Sequence, residues 1–144
     1  MTRKYKRTFS YTALFAVVLA ALLPAFLALS CATQQASISE DLSAAELIQR
    51  AQEASDRNRF HLSLQYYQTL INRYPYDIDS ICAAEYEIAF IHFKQKKYDI
   101  AKVEFSDLIE RYNTPDGALL PSQFRILSQK ILAIIEEAEG GKKS

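Results

Sequence analysis

The sequence predicts an all-α protein: two helix hairpins and a C-terminal capping helix, preceded by an N-terminal signal or anchor helix. Three observations predict it. The stretch RFHLSLQYYQTLINRYP, residues 59–75, aligns without a gap on KYDIAKVEFSDLIERYN, 38 residues further on. Inside each copy, small and apolar side chains recur at three- and four-residue steps, as in Phe60, Ser63, Tyr67, Leu70 and Tyr74, which places them on one helical stripe. Only three glycines and four prolines occur in 144 residues, and no alternating apolar pattern bounded by turn residues suggests strands.

The first element is the N-terminal segment. MTRKYKR is basic, and residues 13–29 carry no charge and one proline, Pro24. A basic start, an apolar stretch and small residues before a cleavage point make a secretory signal. A run of roughly 17 uncharged residues also reaches the lower limit for a membrane-spanning helix. The run closes on Leu27-Ala28-Leu29-Ser30-Cys31, which resembles the lipobox of bacterial lipoproteins, with Ser30 as the small residue before the cysteine. That resemblance implies a signal peptide over residues 1–30, lipid on Cys31, a polar tether over residues 31–42 and a helical domain over residues 43–144. An uncleaved membrane anchor and an ordinary cleaved signal are the alternatives. Cys31 and Cys82 also have the number for one disulfide in an oxidising compartment. With lipid on Cys31, Cys82 reads as a small buried residue near a helix start.

Helix limits follow from local chemistry. Ser43-Ala44-Ala45-Glu46 is a capping-box pattern and starts the first helix. Pro75 stops the second, because the residue before a proline is pushed out of the α region. Asp79 or Ser80 is expected to cap the third, and residues 95–97 to turn the chain into the fourth. After NTPDGALLP a fifth helix is expected from about Ser122 to Glu139, ended by Gly140-Gly141. Its apolar residues, Phe124, Ile126, Leu127, Ile131, Leu132, Ile134 and Ile135, suit a cap that closes the open end of a short array, or else a docking face for another chain.

The repeat resembles the tetratricopeptide repeat. The family's small residue of the first helix matches Ala51 and Ala89, its alanine of the second helix matches Ser63 and Ala101, its aromatic matches Tyr67 and Phe105, and its closing proline matches Pro75, with Asn113 standing at that place in the second copy. The 38-residue period and the RYP ending are similar to the divergent repeats of bacterial envelope lipoproteins, such as the repeat lipoprotein of the outer-membrane β-barrel assembly machinery and the periplasmic coordinator of the Tol-Pal system. The resemblance covers roughly residues 44–113. It implies protein partners in the envelope, held near the outer membrane on its periplasmic side, or a coordinating role in envelope and division machinery.

In this family partner peptides lie along the first helix of each pair. Carried onto this sequence, the groove positions are Ile48, Gln52 and Asp56, with Ala45 and Ser55 beside them, and then Tyr86, Phe90, Phe93 and Lys94, with Ala83. Tyr86, Phe90 and Phe93 stand at i, i+4 and i+7 and so share a face. Two roles are open to that aromatic row: an exposed surface for an apolar or extended peptide, or packing beneath the fifth helix.

Charge and composition exclude other classes. Four basic residues and no acid precede residue 31, so removal of residues 1–30 leaves a net charge of about −4, opposite to what a phosphate backbone attracts. Three glycines, two of them in the last five residues, cannot build a nucleotide-cradling loop. His61 and His92 belong to no metal-binding or nucleophile-elbow pattern and read as ordinary satisfied or exposed histidines. The expectation is a binding protein without catalytic residues, cofactor, metal or small-molecule substrate.

Overall fold

The computed structural model describes residues 37–141. The predicted signal segment, Cys31 and the start of the predicted tether lie outside the described residues. Among the described residues are five α-helices and one 3₁₀ turn, with no strand: α1 (Ala44–Asp56), α2 (Phe60–Arg73), α3 (Ile78–Lys94), α4 (Tyr98–Arg111), the 3₁₀ turn Pro115–Leu119 and α5 (Ser122–Gly140). None of these helices is long and apolar enough to cross a membrane.

The sequence repeat is repeated in the backbone. The second helix of each hairpin begins at Phe60 and Tyr98 and ends at Arg73 and Arg111, the same 38-residue offset at both ends. The turns before them also match, with left-handed backbone at Asn58 (φ 56°) and at Lys96 (φ 60°). The Arg59 amide donates to the Ala54 carbonyl at 2.8 Å and the Lys97 amide to the His92 carbonyl at 3.0 Å. One left-handed residue thus reverses the chain while the last carbonyls of the preceding helix stay bonded. A three-residue connection then returns α2 along α1, and α4 along α3.

The inner stripes are equivalent as well. Ala51 and Ala89, Ser63 and Ala101, Tyr67 and Phe105, and Leu70 and Leu108 are all buried. Small residues at the first two pairs let the helices approach, and the large ring one turn later fills the space beside them. Two core clusters result. Leu47, Tyr67, Leu70 and Ile91 anchor one between α1, α2 and α3, while Tyr86, Phe105, Leu108 and Ile135 anchor the other between α3, α4 and α5. α3 contributes to both.

Two local expectations are corrected. Residues 38–42, read as the end of a free tether, lie on the domain: Ile38 and Leu42 pack on the first cluster, Arg73 donates to the carbonyls of Ser39 (2.6 Å) and Ile38 (3.1 Å), and the Tyr74 hydroxyl donates to the Leu42 carbonyl at 2.8 Å. The cap of α3 is Asp77, which accepts from the Ser80 amide at 3.1 Å, in place of Asp79 or Ser80. The segment before α5 holds the 3₁₀ turn, where Gly117 comes so close to Tyr112 that an added Cβ would stand 2.3 Å from its carbonyl oxygen. Only glycine fits there. The capping box at Ser43 and Glu46 forms as predicted.

Candidate functional site

The aromatic row of α3 lies beneath α5. Tyr86 is 8% exposed, with its ring centroid 5.7 Å from Phe105 of α4 and 5.8 Å from Phe124 of α5. Tyr86 also stacks on Phe90 at 5.9 Å, Phe90 on Phe93 at 5.7 Å, and Phe93 meets Tyr98 at 5.9 Å. Tyr86 is therefore core and not groove surface. Phe90 and Phe93 are half-buried, so each retains an accessible edge. The inner face of α5 meets this cluster through Phe124, Ile131, Leu132 and Ile135, and Lys102 of α4 pairs with Glu139 near its C-terminal end at 2.8 Å. Its outer face leaves Ile126, Leu127 and Ile134 exposed.

Lys94 closes the row at its other end. Its ammonium lies 5.3 Å from the Phe60 ring centre and 5.4 Å from that of Phe90, and it donates to the Ser55 hydroxyl. A cation over two ring faces gains from both quadrupoles. Ser55, predicted to face a groove, is buried and holds Lys94 instead. Of the α1 positions, Gln52, Asp56 and Ala45 are exposed and Ile48 is half-buried on the first cluster. Ala83 is half-buried.

Sequence reasoning missed Glu87 and the Tyr67 hydroxyl on this side. Burial pushes the Glu87 carboxyl up; Lys94 works against that and Asp56 with it. The Tyr67 hydroxyl is buried without a hydrogen-bond partner, and burial, then Glu87 and Asp56, push its ionisation up. The α1/α3 surface is therefore mixed: ring edges, one cation already engaged, and carboxylates short of partners.

A different face of α3 floors a groove that the sequence did not reveal. Two lobes, of about 340 and 360 Å³, share Gln68, Ile88 and Glu104 and run between α2 and α4. Ile71, Ile88 and Leu108 line one lobe, and Leu64 and Ile88 the other. Glu85 bonds Arg111 across the first lobe, where burial raises its carboxyl and Arg111 lowers it. In the second lobe His92 meets Glu104 through Nδ1 at 2.7 Å, and His61 stands on its wall. The two histidines, 31 residues apart in sequence, share one concavity. No three metal-ligating side chains converge among the described residues. The sequence did hold one signal, since Glu85, Glu87 and His92 interrupt the otherwise apolar stretch 81–93 of α3. Cys82 is buried and has no disulfide partner among the described residues, and burial raises its thiol.

No family model matches the chain. It is 31% identical over 106 residues to an uncharacterized protein of Treponema pallidum (strain Nichols), a match that covers 72% of this chain and 42% of that protein. The chain thus spans about two fifths of the length of that relative. No solved structure matches it.

Proposed function

We propose that this protein is a tetratricopeptide-like scaffold, anchored by lipid on Cys31 to the periplasmic side of the outer membrane, that binds an extended segment of another envelope protein along α1 and α3. One observation carries the reading: the 38-residue sequence period coincides with the same limits of the second helix, the same left-handed turn position and the same buried stripe in both hairpins. A chain that repeats its framework while varying its outward side chains presents an extended surface to a partner. The surface assigned to the partner consists of Ile48, Gln52 and Asp56 of α1 with Phe90, Phe93 and Lys94 of α3. Tyr86 supports it from beneath. Because residues 38–42 are strapped to α2, an extended tether from Cys31 reaches only about 25 Å, and the domain works close to its membrane.

Mass spectrometry of the protein taken from its native envelope tests the anchor. The expected N-terminus is acylated Cys31, and an intact Met1 would overturn it. A photo-crosslinking residue in place of Gln52 tests the surface. A single adduct of defined mass is expected, lost in Phe93→Ser with helicity retained and not formed from Gln129 on the outer side of α5. Equal labelling from both positions would refute the assignment.

A further inference from the structure

We propose that the groove between α2 and α4 is a second binding surface, for a partner peptide that carries an apolar side chain beside a lysine or arginine. It lies on another face of α3 from the surface described above and does not depend on the lipid anchor.

The floor of the groove is apolar. Ile71 of α2, Ile88 of α3 and Leu108 of α4 converge on one lobe of about 340 Å³, room for an apolar side chain of the visitor. The walls differ. On α2, Gln65 and Gln68 stand one turn apart beside the floor, and each amide both donates and accepts, which suits the main chain of an extended peptide without reading its sequence. On α4 the wall is acidic. Glu104 and Asp107 are three residues apart on one helical face, with Glu85 below them, so three carboxylates face the single guanidinium of Arg111.

Arg111 is already taken by Glu85, and Glu104 is held by His92. Asp107 is exposed and in no ion pair among the described residues. The wall therefore has unmatched negative charge at the rim of an apolar floor. Cationic and apolar groups side by side on one short segment satisfy both at once, and an acidic segment is repelled. A second copy of this chain is the competing occupant.

Fluorescence anisotropy on the full chain tests this, with a labelled octapeptide of alternating leucine and lysine between Ser-Gly ends. Saturable binding is expected, and exchange of every lysine for glutamate, or every leucine for serine, should abolish it. Asp107→Lys should weaken binding by about tenfold or more, and Glu104→Gln by less. Glu137→Lys, the same charge change on exposed α5, should leave binding as it is. Failure to saturate, or equal weakening by Asp107→Lys and Glu137→Lys, would overturn the proposal. So would loss of binding in Phe93→Ser, which would move the peptide to the α1/α3 surface, or a dimer in sedimentation velocity that Asp107→Lys dissolves, which would put a second copy in the groove.

Discussion

The two hairpins share a framework and differ in what covers them. Turn, stripe and second-helix limits are the same, yet where α1 carries Ile48, Gln52 and Ser55, α3 carries the rings Tyr86, Phe90 and Phe93 at the 38-residue offset. The first hairpin needs little more than a strap, residues 38–42, fixed by Tyr74. The second needs a whole helix, α5, and Tyr112, the repeat equivalent of Tyr74, bonds the Pro121 carbonyl at its start at 2.7 Å. One tyrosine position thus secures the covering segment in both, and the bulk of the first helix decides how large that cover must be. A repeat protein can keep one backbone and still make its two ends chemically different.

Substitutions at equivalent positions break or sharpen that comparison. The largest effect is expected at the buried aromatic pair. Phe105→Ala should cost about 3–5 kcal/mol in urea unfolding, by transfer and cavity terms together. Its counterpart change, Tyr67→Phe, should be neutral or stabilising, since the hydroxyl it removes has no partner. Next comes Ser63, whose hydroxyl donates to the Ala51 carbonyl at 2.8 Å inside the core, a bond the second hairpin lacks because Ala101 stands there. Ser63→Ala should cost about 1 kcal/mol in the same measurement.

The turns give a smaller effect of opposite sign. Lysine is poorly suited to φ 60° and asparagine tolerates φ 56°. Lys96→Gly should therefore raise stability by about 0.5–1 kcal/mol, and Asn58→Gly by less.

The smallest effect concerns Glu87 and depends on pH. Its carboxyl in the folded protein ionises above the usual 4.5. Its favourable contribution is therefore complete below that value and is lost as pH rises through the elevated one. Glu87→Gln should raise the melting temperature at neutral pH, and the gain should vanish below about pH 4.5. A gain that persists in acid would mean that side-chain packing, not charge, sets it.

Some of this was legible from residues close together in the chain. Ser43 and Glu46 announced the start of α1, Pro75 the end of α2, and residues 95–97 the turn into α4, because caps and turns act over three or four residues. The same short range explains the error at α3, where Asp77, Asp79 and Ser80 are all competent caps and only the chain path selects Asp77. The strap was illegible: Ile38 and Leu42 have no periodicity, and their partner Arg73 lies more than thirty residues away. Of the candidate surface, Gln52 and Asp56 were identified as exposed positions, but Tyr86 was not separable from Phe90 and Phe93 by spacing. All three share a helical face, and only the position of α5 decides how much of it water reaches.

The sequence by itself determined that the domain is helical, that two units repeat at 38 residues, and that Ser63, Tyr67, Leu70 and their repeat equivalents turn inward, since periodicity and caps are written in neighbouring residues. The tertiary structure alone decided that Tyr86 lies under Phe124, that Lys94 spans Phe60 and Phe90, and that His61, His92 and Glu104 line one groove. Those facts depend on where helices distant in sequence come to rest. That is settled by the burial of both faces of α3 at once, which no local pattern encodes.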